Sequence, residues 1–287
     1  MIKAMRGFKP NTLQKKTVVI TGASEGVGAS CARLFAASGA HLVLAARGKE
    51  KLHKIVSELS QLTEAVGYAM DVCDLSACDE LLAVAKKRFG HIHVLINNAG
   101  FHDRGPFDTI DPRNIAHMVD VNIRAPIYLT SAAMPYLTES EGGAVVMVGS
   151  LAGMGPLSGA SVYSGTKSGL RTFTFALREE LMNTNIRCAI VSPGPIDTGF
   201  IMKRLDLVDD IVFSQAMSTA DGVAAAVKDL VEGDKAEIAI PSLGGLLALF
   251  GASFPVLRRF LRPLFSALGR KNKRRYLKRH RSFESGE

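Results

Sequence analysis

Seven short apolar runs, each followed by a segment of helical periodicity, constrain this chain more than any other feature of its sequence. They are TVVIT (17–21), HLVLA (41–45), VGYAM (66–70), HVLIN (93–97), AVVMV (144–148), IRCAIV (186–191) and EIAI (237–240). Strands that alternate with helices pair in parallel, because each helix returns the chain to the edge where the next strand starts. The runs are continuously apolar, as expected of strands covered by helices on both faces. The sequence therefore predicts one doubly wound α/β domain over residues 15–241 with a seven-stranded parallel sheet. An arm at 1–14 precedes it, and a helical, basic and apolar extension at 242–287 follows.

Composition supports that division. A chain of 287 residues that is 47% hydrophobic can bury one large core. Its net charge of +8 is uneven: residues from Arg258 onward carry +9 and leave −1 for everything before. Cys31, Cys73, Cys78 and Cys188 show neither disulfide nor zinc spacing, so buried thiols in a reducing cytoplasm are expected. The first residues have no long apolar stretch of the kind a signal peptide needs.

The first run leads directly into TGASEGVG (21–28), and a helical pattern follows. Gly22, Gly26 and Gly28 allow a sharp turn and close approach to a pyrophosphate, with Ser24, Glu25 and Val27 in the same loop. The helix behind them would aim its amide groups at the anion, as at a Rossmann-type cofactor site. The second run ends in Ala46-Arg47 where a carboxylate would select a free ribose hydroxyl. A cation there favours a 2′-phosphate, hence NADPH or NADP+ over NADH. A solvated Arg at a strand end would look the same. Asp71 and Val72 end the third run near the expected adenine; Asn98, Ala99 and Gly100 end the fourth, where small residues admit a flat ligand.

Tyr163 and Lys167, in YSGTK, stand at i and i+4 of a helical pattern and project into one space. A tyrosine ionises near pH 10, so acid–base work at neutral pH needs a neighbouring cation, which Lys167 supplies. Such pairs also occur on plain helix surfaces. Ser150, at the end of the fifth run, can meet the same substrate oxygen. Asn122, inside the helix after the fourth, is a mildly unfavourable helix residue and suggests a polar duty.

With these residues in order, the chain resembles the short-chain dehydrogenases/reductases over roughly residues 15–240. The matching features are TGxxxGxG, NNAG at 97–100, Asn122, Ser150, YxxxK and Pro193-Gly194. The resemblance implies that Tyr163 exchanges a proton with a carbonyl or alcohol oxygen while hydride passes to or from a nicotinamide. It implies that Lys167 lowers the tyrosine's pKa and holds the nicotinamide ribose, that Ser150 positions the substrate oxygen, and that Asn122 anchors a water. Pro193 to Thr198, with Gly194 and Ile196, would line the nicotinamide, and assembly as a dimer or tetramer is expected. Two positions depart from the family pattern. His93, with His91 beside it, replaces a frequent Asp, and no further ligand follows at metal spacing; Glu25 stands where NADP-preferring relatives often carry a base. A catalytically silent protein that binds a dinucleotide or a partner on the same fold is the alternative.

Past the sixth run, Pro193 to Ser218 lacks a strand and has the place of a lid. Its apolar residues, Phe200, Ile201, Met202 and Leu205 among them, suggest a hydrophobic, lipid-like substrate. The uncharged run from Ile238 to Leu257 begins as a strand and is broken by Gly244, Gly245, Gly251 and Pro255, which argues against a membrane span. Beyond it, Leu257, Leu261, Leu264 and Leu268 repeat at helical spacing among arginines, with Pro263 expected to divide two short helices. Cations interspersed with bulky apolar residues suit an anionic membrane surface better than a nucleic acid, and no specific nucleic-acid partner is expected. A helix packed on a neighbouring subunit would carry the same pattern.

Overall fold

The structure, a computed structural model, describes residues 13–202 and 207–284; for Phe200, Met202 and residues 278–284 it describes the backbone alone. The arm through residue 12 and Leu205 of the expected lid lie outside the described residues.

All seven apolar runs form strands: β1 (Thr17–Thr21), β2 (His41–Ala46), β3 (Ala65–Ala69), β4 (Val94–Asn97), β5 (Gly143–Val148), β6 (Ile186–Pro193) and β7 (Glu237–Ile240). They pair in parallel in the order β3-β2-β1-β4-β5-β6-β7. Between them run α1 (Gly26–Ala37), α2 (Lys49–Leu59), α3 (Leu75–Phe89), α4 (Pro112–Val119), α5 (Ala125–Glu139), α6 (Ser161–Glu180), the short α7 (Gly199–Met202) and α8 (Ala220–Glu232). Successive side chains of a strand point to opposite faces. Val18 and Ile20 thus join one core with Phe35 of α1, Leu52 of α2 and Val227 of α8, while Val19 joins a second with Leu81 of α3, Leu129 of α5 and Leu170 of α6. The continuous apolar runs are the signature of these two cores sharing one sheet.

The edges are less covered than the uniform runs suggest. β3 and β7 are only partly buried, because each has a neighbour on one side alone. Chain order reverses between β1 and β4, and the crevice this leaves at their carboxyl ends positions the site.

The extension folds into α9 (Ser242–Ser253) and α10 (Pro255–Glu284). Pro263 does not divide α10, contrary to the sequence expectation: the helix runs through it. A proline costs an interior helix one hydrogen bond, and the docking of α10 on a three-ten turn at Asp210–Ser214 offsets that loss. There Asn272 donates to the Phe213 carbonyl at 3.0 Å, Lys273 donates to the Val208 carbonyl at 2.8 Å, and Arg262 lies 3.2 Å from Asp209. Among the described residues no helix is long and apolar enough to cross a membrane.

Candidate active site

A cavity of about 950 Å³ opens along the carboxyl ends of the strands and receives residues from the glycine loop, the ends of the second to fourth runs, Ser150, Tyr163, Lys167 and the segment after β6; Asn122 stands behind its lining. At one end lies the loop between β1 and α1. Gly22 (φ +64°) and Gly26 (φ +56°) adopt left-handed backbone that a side chain would strain. A Cβ on Gly22 would also fall 2.9 Å from Ala99 Cα, and one on Gly28 2.5 Å from Asn98 Nδ2. Gly28 accordingly does not line the cavity; it lets α1 pack against the loop. Asn98 locks the arrangement, donating from Nδ2 to the carbonyls of Thr21 (2.9 Å) and Gly22 (3.0 Å). The Thr21 hydroxyl accepts from the amides of Asn98 and Ala99, both at 3.1 Å. Glu25, the residue before α1, makes no side-chain cap hydrogen bond, and Gly26 and Val27, the first residues of the helix, line the cavity. Such an uncapped helix end on a glycine cradle fits a diphosphate.

Ser24, Glu25, Gly26 and Val27 line this end with Arg47, Asp71 and Val72. Glu25 is paired with Lys51 of α2 at 2.6 Å. Arg47 stands 3.8 Å from Asp71, whose other oxygen accepts from the Cys73 amide at 2.9 Å. Two cations, Arg47 and Lys51, therefore border the same corner. Lys51 escaped the sequence reading because its relation to the loop is tertiary.

In the middle, α6 presents Tyr163 and Lys167 on one buried face. Ser150 caps a three-ten turn after β5, accepts from the Ala152 amide at 3.1 Å, and hydrogen-bonds the Tyr163 hydroxyl. Burial pushes the Tyr163 phenol above its usual range; the Ser150 hydrogen bond and the positive charge of Arg104 oppose that rise. Lys167 donates to the Val148 carbonyl at 2.8 Å, 5.8 Å from the centre of the Tyr163 ring, and burial lowers its pKa to about 8.

Asn122 sits in a π-helical turn, Asp120–Arg124, that joins α4 to α5 without a break. Such single turns concentrate at functional sites. Its amide accepts from Phe101 N and donates to Phe101 O, both at 2.8 Å, so it clamps the segment leaving β4. It lies across Gly100 from the lysine: a Cβ there would be 3.6 Å from Asn122 Oδ1 and 3.9 Å from Lys167 Nζ. The clamp carries His102 and Arg104 into the cavity, two residues the sequence reading passed over. His102 stacks on the Tyr163 ring, centroids 4.0 Å apart and planes 6° apart, and burial depresses its imidazole to about 3. Their one signal was position, directly after NNAG at a strand's carboxyl end.

Pro193, Gly194, Ile196 and Thr198 line the wall after β6. The expected lid is itself packed, with Ile201, Val208 and Phe213 buried together and Leu277 of α10 against them. His93 Nδ1 accepts from the Thr17 amide at 3.1 Å, and its ring lies 5.8 Å from that of His91.

The family model of the short chain dehydrogenases matches residues 16–207, a span holding the glycine loop, Asn122, Ser150, Tyr163 and Lys167. The chain belongs to the short-chain dehydrogenase family. It is 34% identical over 186 residues to an uncharacterized oxidoreductase of Staphylococcus aureus (strain USA300), covering 65% of this chain and 80% of that protein. An uncharacterized oxidoreductase of Staphylococcus saprophyticus is 36% identical over 190 residues, covering 66% and 77%. The dehydrogenase is thus an NAD(P)-dependent oxidoreductase.

The family match ends at residue 207, before α9 and α10. Leu247 and Phe250 of α9, and Leu257, Leu261 and Phe265 of α10, form the far wall of the cavity. Arg258 belongs to the same wall and donates to the Pro156 carbonyl. The segment read from sequence as a tail thus helps to enclose the site.

Proposed function

We propose that the dehydrogenase reduces a ketone of a hydrophobic, lipid-like substrate, or oxidises the corresponding secondary alcohol, with NADP(H). The observation that carries this reading is one cavity joining the Arg47 and Lys51 corner, the Tyr163–Ser150 hydrogen bond and the apolar wall of α9 and α10.

When bound, a nicotinamide supplies or accepts the hydride. The uncapped end of α1 and the glycine loop would hold its diphosphate, and Arg47 with Lys51 would favour a 2′-phosphate. Ser150 and Tyr163 converge on one point, where a substrate oxygen can accept two hydrogen bonds. In reduction Tyr163 gives its proton to that oxygen as negative charge develops there. Arg104 and Lys167 favour the phenolate left behind, and Lys167 stands next to Tyr163 to return a proton. His102, neutral and stacked on the phenol ring, fixes the ring plane. Leu247, Leu257, Leu261 and Phe265 exclude water from an apolar substrate tail.

Steady-state rates with ketones of increasing chain length, each under NADPH and NADH, test the reading. Catalytic efficiency should rise with chain length and favour NADPH, and Ala46→Asp with Arg47→Leu should move the preference toward NADH. Better use of NADH by the unaltered enzyme would overturn the cofactor assignment; no gain with chain length would overturn the substrate class.

A further inference from the structure

We infer that the outer face of α9 and α10 docks on an anionic lipid bilayer and that the mouth of the cavity opens into that face, so that substrate enters from the membrane. The route rests on the hydrophobic-substrate reading above; the docking does not.

The face is built by helical spacing. Residues four apart fall along one stripe, and Val256, Phe260 and Leu264 of α10 do so while remaining 70%, 78% and 66% exposed, with Leu268 next in the series. Large apolar side chains this exposed, in an unbroken row, mark an interaction surface. One position around the helix lie Leu257 and Leu261, which are partly exposed and also line the cavity. Leu247 and Phe250 of α9 have the same double character. The outer apolar row and the wall of the site therefore adjoin through Leu257 and Leu261, with the cations Arg258 and Arg262 set beside them in the wall.

Charge identifies the occupant. No acidic residue stands between Glu237 and Glu284. Asp209 and Asp210, on the body of the protein, engage Arg262, Arg270 and Lys273 on the inner side of α10. Arg259, Lys271, Arg274 and Arg275 remain exposed. An apolar row flanked by cations on one helix matches the boundary between acyl chains and anionic headgroups. A second copy of this chain would bring the same positive charge to the interface.

Flotation of the full chain with vesicles of phosphatidylcholine, alone or mixed with phosphatidylglycerol, tests the docking. The protein should float with the anionic vesicles and be released by salt. Phe260→Glu with Leu264→Glu should abolish flotation, and Lys271→Glu with Arg274→Glu should remove its dependence on phosphatidylglycerol. A long-chain ketone dissolved in those vesicles tests the route: the Phe260/Leu264 variant should lose at least an order of magnitude in catalytic efficiency on it, while keeping its rate on a small water-soluble ketone. Retained flotation by both variants, or failure of the unaltered protein to float, overturns the docking. So does a stable dimer that the Phe260/Leu264 variant dissociates. Unchanged turnover of the vesicle-borne ketone by the non-floating variant overturns the route alone. Failure of the unaltered protein to reduce any ketone would instead sink the proposed function, with flotation still deciding the docking.

Discussion

Tyr163 is buried where a phenol resists ionisation, and three neighbours answer for it in different ways. Ser150 gives it a hydrogen bond, Arg104 a charge, and His102 a flat surface. Tyr163→Phe keeps the ring, and therefore the stack on His102, but removes the proton. Turnover of a good ketone should fall by at least about 10²-fold, the usual loss of a general acid. Cofactor binding, followed by quenching or calorimetry, should persist. Near-normal turnover would show that the proton comes from elsewhere. Gly28 is informative for the opposite reason: it touches no ligand space, yet nothing larger fits between the loop and α1.

At the scale of elements, two helices do more than span the sheet. The π-turn between α4 and α5 turns Asn122 toward Phe101 and so holds the loop that supplies His102 and Arg104. α10 does the same for the lid. Gly269 is the point of closest approach, since a Cβ there would stand 2.6 Å from the Asp210 carbonyl carbon and 3.2 Å from the Ser214 amide. Gly269→Leu should force α10 away at a cost in docking of about 1–3 kcal/mol, the range for overpacking a close contact. Limited proteolysis within residues 207–218 should accelerate, and the KM for a long-chain ketone should rise more than that for a small one. Identical proteolysis of the two proteins would mean that α10 does not secure the lid.

For the whole molecule, buried titratable groups tie stability to pH. His93 and His102 are depressed by burial to about 4 and about 3, below the 6.5 of an exposed imidazole. Between those limits the unfolded chain binds more protons than the folded one, so stability is fully present above 6.5 and is lost as pH falls toward 4. Lys167, lowered to about 8 from 10.5, adds a second window in which stability rises with pH. Urea midpoints should therefore fall between pH 7 and pH 5, and less steeply in His93→Gln, which removes one of the two imidazoles. Equal slopes for the two proteins would exclude His93 from the transition.

The strands, their parallel pairing and the family were legible in the sequence because each depends on local pattern. Apolar runs alternating with helical segments point to a parallel sheet covered by helices, and the glycines after the first run and the spacing of Tyr163 and Lys167 are set by neighbouring residues alone. Four features depend on segments far apart in the chain. Lys51 answers Glu25 across the space between a helix and a loop, and His102 reaches Tyr163 of α6 from the segment after β4. The edge strand β3 is only half covered although its run looks like the others. Pro263, a helix breaker by local rule, lies inside a continuous helix because Asn272 and Lys273 anchor that helix to carbonyls some sixty residues earlier. Periodicity fixes which residues share a face of one element; only packing decides what that face meets, and here it turned an apparent appendage into a wall of the site.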